Sequence, residues 1–186
     1  RTYKDGKLEG ISKEYSSNGK LRTELSYKGG KPNGEWKYYD NEGKVRKIEN
    51  YKEGKLHGKQ WQKMTSNRGE YTATEYYDND KPTGKWQEIW ENGLVLSEKE
   101  YKDKGTYTER EFFRNGKMES EVSYKDFKLH GLRKKYNDVG ILVRQDTYDE
   151  DKLTNRKYFF GNNPIPALSI PCKTDCDITS EFKLFF

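Results

Sequence analysis

Apolar residues are sparse in this chain and fall at fixed intervals. After a glycine at 19, 43, 69, 93, 116 or 140, the second residue is Leu21, Val45, Tyr71, Val95, Met118 or Leu142, and a tyrosine follows the glycine by eight residues every time. Stepping by twos from the apolar residue reaches the tyrosine, so both lie on one face of a strand. A third position on that face is Thr23, Lys47, Ala73, Ser97, Ser120 or Arg144, which leaves the face thinly apolar. Each of these tyrosines, and Tyr3 before them, opens an octet like Tyr3-Lys4-Asp5-Gly6-Lys7-Leu8-Glu9-Gly10; later copies start at Tyr27, Tyr51, Tyr77, Tyr101, Tyr124 and Tyr148, at intervals of 24, 24, 26, 24, 23 and 24 residues. A fixed period of this length marks a repeat array whose units stack on their neighbours.

The punctuation between strands predicts the unit. Asn18-Gly19, Asn92-Gly93 and Asn115-Gly116 separate an aromatic run from the apolar strand. Asn-Gly in that setting predicts a hairpin with a type I′ turn. A second turn within the octet, as at Asp5-Gly6, Gly29-Gly30, Glu53-Gly54 and Asn79-Asp80, reverses the chain into the next unit. The fold class expected is all-β: an elongated antiparallel meander of about seven β-hairpin repeats over residues 1–160, with a non-repeat cap over 161–186. Glycines at 10, 34, 58, 84 and 131 are expected to lie beneath neighbouring rings.

Two segments break the period. The distance from Gly58 to Gly69 is eleven residues instead of nine, so Trp61 to Ser66 carries a two-residue insertion, expected as a longer hairpin loop or a protruding contact element exposing Trp61 and Met64. Beyond Phe159 the tail carries Ile165, Leu168, Ile170, Phe182, Leu184 and Phe185, which would cover the last strand edge. A partner-binding or dimerising segment is the other use for it.

Composition sharpens this picture. Hydrophobic residues are 31%, charged residues 36% and the mean hydropathy is -1.28. Such polarity suits a disordered chain, but aromatics make up 15% and recur with the period, which favours a thin ordered array without a deep core. The net charge of +5 combines 36 basic with 31 acidic residues, a balance that argues against a stripe tracking nucleic-acid phosphates.

Residues with chemistry are scattered. His57 and His130 occupy one octet slot three units apart, on the order of 30 Å, too far to share a proton or a metal. Glu24, Glu98 and Glu121 recur with the repeat, as a solvated charged face does. Cys172 and Cys176 lack a second ligand pair for zinc; a disulfide and two free thiols both remain open. No enzyme, cofactor or metal site is expected. The chain starts at Arg1 on a repeat, consistent with an upstream signal or anchor having been removed.

The pattern Gly34-x-Trp36-x-Tyr38-Tyr39, a turn, and a closing Tyr-Lys-x-Gly-Lys resembles the bacterial variant of the MORN repeat found in YwqK-like antitoxin proteins. It extends from residue 1 to about 160, with Thr108 and Asn155 replacing the final octet glycine in two units. The resemblance implies an elongated hairpin array without chemistry of its own, in a family of scaffolds, lipid-associated proteins, enzyme appendages and antitoxins. The expected function is a non-enzymatic protein-binding scaffold that neutralises a toxin, which would be cytoplasmic. The alternative is an exported or cell-surface array that self-associates or touches anionic lipid. Interface energy concentrates in buried aromatic anchors, so Trp36, Tyr38, Trp61, Trp86 and Trp90 are the candidate partner-binding residues.

Overall fold

The structure is a computed structural model that describes residues 1–161 and the backbone of 163–164. The tail residues proposed as a cap from Ile165 onward, and Cys172 and Cys176, lie outside the described residues. Strands follow one another as antiparallel neighbours in a single unclosed meander from Gly10–Tyr15 to Lys152–Phe160, where Asn163–Pro164 pairs back onto Phe159 and Phe160. Tyr3–Lys4 and Lys7–Leu8 form a further hairpin at the N-terminal end.

The type I′ turns do not fall at Asn-Gly, where the sequence predicts them, but in the octets. In the octets, both central residues have positive φ, between 46° and 87°, at residues 5–6, 29–30, 53–54, 79–80, 126–127 and 150–151. These are the type I′ turns, and flanking pairs such as Lys28↔Lys31 and Lys52↔Lys55 close them as two-residue loops. Asp126-Phe127 adopts the same left-handed pair without any glycine. The Asn-Gly turns are instead three-residue loops: the Ser16 amide donates to the Lys20 carbonyl, and the Gly19 amide donates back to Ser16. Only the glycine takes positive φ there, and Asn18 serves through its side chain, whose Oδ1 accepts from the Lys20 amide. The same pattern recurs at Asp40, Trp90, Phe113 and Asn137. All I′ turns stack along one long edge of the sheet, and successive ones are tied together, as where the Gly30 amide donates to Leu8 and the Gly54 amide to Pro32.

The late octet glycines stand opposite the next octet tyrosine in register, at Gly10↔Tyr27, Gly34↔Tyr51, Gly58↔Tyr77, Gly84↔Tyr101 and Gly131↔Tyr148, and they serve a second purpose as well. Gly34 sits at φ +94°, opposite a register shift between Leu25 and Tyr27, and a Cβ there would meet Ser26 Oγ at 3.2 Å. It makes a bulge possible. The bulge leaves the Ser26 carbonyl outside the ladder, and Trp36 Nε1 donates to it at 2.8 Å. Trp86 Nε1 does the same to Tyr76 at 3.0 Å. In the unit between, Gln60 takes the tryptophan position: its Nε2 donates to the Asn50 carbonyl at 3.1 Å, and its Oε1 accepts the Asn50 amide at 2.8 Å. A side-chain amide thus pairs where the strands Val45–Lys52 and Gly58–Ser66 meet at only two register positions.

The insertion after Gly58 is neither a loop nor a free element. It lengthens the strands Gly58–Ser66 and Gly69–Asp78, which stay in register to Ser66↔Gly69 and close around Asn67 and Arg68.

Packing is thin, as the composition implies. Among the described residues, Val122 at 8% exposure is the one hydrophobic residue that counts as buried. Rings carry the rest of the cohesion on the face bearing the octet tyrosines. Trp36 lies between Tyr27 and Tyr51 at 5.2 and 4.8 Å, and a second column runs Tyr77, Trp86, Tyr101, Tyr107 and Tyr124 at 4.5 to 5.0 Å. The columns are interrupted at Gln60. At the C-terminal end the fully buried Asp146 accepts from Arg156 at 2.8 and 3.2 Å and pairs with Arg144 at 3.3 Å.

Candidate partner-binding face

Side-chain parity, set by the register, sorts the candidate residues. Trp36, Tyr38, Trp86 and Trp90 stand at even offsets from the octet glycines Gly34 and Gly84, and they share the tyrosine face. Trp61 stands three residues after Gly58, pairs with Ile48 and Thr74, and projects from the opposite face. Four of the five candidates are therefore brought to one surface, and Trp61 is not.

Between the ring columns and the Asn-Gly edge this surface is hollowed. In the middle row, small side chains at Ala73 and Ser97 replace the large ones at Tyr38 and Gln62. The resulting groove, about 490 Å³, is framed by Trp86 and Phe112 and by the carboxylates Glu75, Glu88, Glu109 and Glu111. Neighbours fix several of these acids. Ser97 Oγ donates to Glu88 at 2.8 Å, Ser120 Oγ to Glu111 at 3.2 Å, and Lys99 lies 3.2 Å from Glu109. Beyond the groove, the Arg114 guanidinium lies 5.3 Å over the Trp90 ring and donates to the Arg68 carbonyl. The Trp90 indole N–H is enclosed without an acceptor.

Carboxylates two residues before the octet tyrosines were missed in the sequence because they read as ordinary surface charge. Glu49 accepts from Tyr38 at 2.9 Å, Tyr51 at 3.0 Å and Lys47 at 2.5 Å, and Glu75 accepts from Tyr77 at 2.9 Å. Burial opposes charge on Glu49, but Lys47, Tyr38 and Tyr51 outweigh it and hold the carboxyl below its ordinary value. Burial and then the Glu49 charge push the Tyr51 phenol up to about 12, and raise Tyr38 as well. These phenols are donors held neutral, which suits a rigid surface and supplies no nucleophile.

The opposite face carries an ion ladder. Arg110 pairs with Glu121 at 2.9 Å and Glu100 at 3.1 Å, and Lys134 reaches Glu121 at 3.0 Å. Glu98, expected on a solvated face, is 8% exposed and accepts from Gln87 and Lys85 at 2.7 Å each. Cross-strand neighbours bury it. His57 and His130 each place Nδ1 3.3 Å from an aspartate, Asp78 and Asp149. Among the described residues no three His, Cys, Asp or Glu side chains converge as metal ligands would.

Three segments, residues 8–28, 32–53 and 108–126, match a family model described as MORN repeat variant. The third includes Thr108, where the final octet glycine is replaced. No curated protein matches the chain. The unmatched units between and after these segments form the same antiparallel hairpins.

Proposed function

We propose that this MORN-repeat array is a non-enzymatic scaffold that captures a protein partner on its tyrosine face, with Trp36, Tyr38, Trp86 and Trp90 as anchors. The observation that carries the reading is the groove beside Trp86. It is a hollow floored by Ala73 and Ser97, framed by aromatic rings and placed on a rigid cross-strand stack. Aromatic anchors around a preformed concavity are where binding energy concentrates in protein interfaces. Trp61, on the other face, belongs to a separate surface. Toxin neutralisation is the form of capture that the likeness to YwqK-like antitoxins supports, and it would proceed through shape and rings, since a chain with 36 basic against 31 acidic residues is a poor mimic of a polyanion.

The test is capture and titration of the native partner. Trp86→Ala with Trp90→Ala should weaken the complex by about tenfold or more, the equivalent of about 1.4 kcal/mol. Lys28→Ala with Lys52→Ala should leave it within about threefold. Equal losses from the two pairs would defeat the reading. For the antitoxin role, co-expression with a growth-inhibiting protein that the array captures should restore growth, and failure of a tightly binding array to do so would remove that role while leaving the scaffold.

A further inference from the structure

The lysines of this protein differ in what they face. Several on the strand bodies are ion-paired: Lys13 with Glu24, Lys37 with Glu35, Lys47 with Glu49, Lys63 with Glu70, Lys85 with Glu98 and Lys99 with Glu109. At the first three I′ turns they face each other instead. Lys4↔Lys7, Lys28↔Lys31 and Lys52↔Lys55 are directly opposed in register; all six are exposed, and none makes an ion pair among the described residues. Opposed like charges destabilise a strand pair, yet the arrangement recurs in three consecutive units.

Each of these lysines lies one residue outside an octet tyrosine or pairs with a residue that does, so all six share the face opposite the rings. The stems of Lys7 and Lys31 rest against Gly30 and Gly54 of the following turn, 3.6 and 3.8 Å from where a Cβ would stand. Six adjacent strand arms at roughly 4.8 Å spacing string the ammonium groups along about 24 Å of edge. Within these turns the six lysines meet three carboxylates, Asp5, Glu9 and Glu53, and Glu9 is engaged by the Gly29 amide. The later turns keep lysines, with Lys125 and Lys128 again directly opposed, but lose the excess: Asp78, Asp80, Asp103, Asp126, Asp149, Glu150 and Asp151 crowd that half of the edge, and Lys128 pairs with Glu150. The near balance of charge in the whole chain conceals this segregation.

We propose that the N-terminal half of the I′-turn edge binds the phosphate backbone of a nucleic-acid duplex without regard to base sequence. A row of unpaired lysines supplies the phosphate contacts that dominate such binding. No ring lies in the row, so bases have nothing to stack on, which favours a duplex over a single strand. The turn tips Asp5-Gly6, Gly29-Gly30 and Glu53-Gly54 hold no apolar side chain to enter a bilayer and present two carboxylates, which disfavours a membrane surface.

The experiment is fluorescence anisotropy with two duplexes of unrelated sequence, titrated at several salt concentrations, beside a sedimentation assay with phosphatidylserine-containing vesicles. The wild-type protein binds both duplexes equally, and the logarithm of affinity falls against the logarithm of salt with a slope of about -5, as six neutralised phosphates require. Lys28→Gln, Lys31→Gln, Lys52→Gln and Lys55→Gln combined, which keeps the stems, reduces the slope to about -2. Lys125→Gln, Lys128→Gln and Lys152→Gln combined leaves it within about one unit. The proposal is overturned if low salt gives no duplex binding, if the slope survives the four substitutions, if the distal set lowers it as much, or if vesicles are bound and the duplex is ignored. Should the fourfold variant fail to fold, Lys28→Gln alone serves instead: it reduces the slope by about one unit, and an unchanged slope overturns the proposal.

Discussion

Trp36→Ala tests whether ring columns stand in for a core. The indole contacts Tyr27 and Tyr51 at 5.2 and 4.8 Å and satisfies the Ser26 carbonyl at 2.8 Å. Each ring pair contributes about 0.5 to 1.5 kcal/mol beyond its area, and a hydrogen bond about 1 kcal/mol. Together these give about 2 to 4 kcal/mol, somewhat below the ~3 to 5 kcal/mol of a fully enclosed tryptophan, because Trp36 is half-buried and water can reach the part-buried carbonyl once the indole is gone. Trp36→Phe should restore the ring contacts and leave a deficit of about 1 kcal/mol. Trp61→Ala, without a ring neighbour on its face, should cost less than about 1.5 kcal/mol. The assay is urea unfolding followed by circular dichroism, combined with amide hydrogen exchange. Neighbour-only contact in repeat arrays predicts that protection falls in Leu21–Lys28, Lys31–Tyr39 and Val45–Lys52 and is kept in Met118–Lys125. A Trp36→Ala protein as stable as wild type, or a Trp61→Ala protein equally weakened, would refute the reasoning.

Two further predictions follow from the same face. Gln60→Leu removes both amide contacts to Asn50 where the strands pair at only two positions, and should cost about 1 to 3 kcal/mol with local loss of exchange protection; an unchanged unfolding midpoint would show that water replaces the amide. Tyr51 and Tyr124 are pushed up to about 12, each first by burial, against about 10 in the unfolded chain, so their contribution to stability is complete below pH ~10 and disappears as pH rises towards ~12. The ring resonances of Tyr51 and Tyr124, assigned by NMR, and the ellipticity should change together in that interval, whereas ionisation of these two rings near pH 10 with the fold intact would contradict the assigned environment.

The sequence made the architecture legible because period, strand length and turn spacing are all written in side chains. Turn type was less legible. Asn-Gly favours a I′ turn in isolation, but one extra loop residue converts it to a form in which glycine alone needs positive φ, while Asp126-Phe127 accepts the I′ geometry because the stacked edge ties the Phe127 amide to Gly105. The side of Trp61 could be had by counting from Gly58 instead of from the insertion, since three is odd where the offsets of Trp36 and Trp86 are even. The groove lay beyond reach, because it depends on Ala73 and Ser97 meeting across three strands from separate units. Segregation of the lysines was equally hidden, since a residue's partner across the register is invisible in composition.

The account rests on the tyrosine face being the surface that meets the partner. Hydroxyl-radical footprinting of the captured complex resolves the two faces side chain by side chain. Binding on the tyrosine face protects Trp86 and Trp90 and leaves Trp61 and the exposed Tyr76 as reactive as in the free protein. Protection of Trp61 and Tyr76, with Trp86 and Trp90 unchanged, would contradict it.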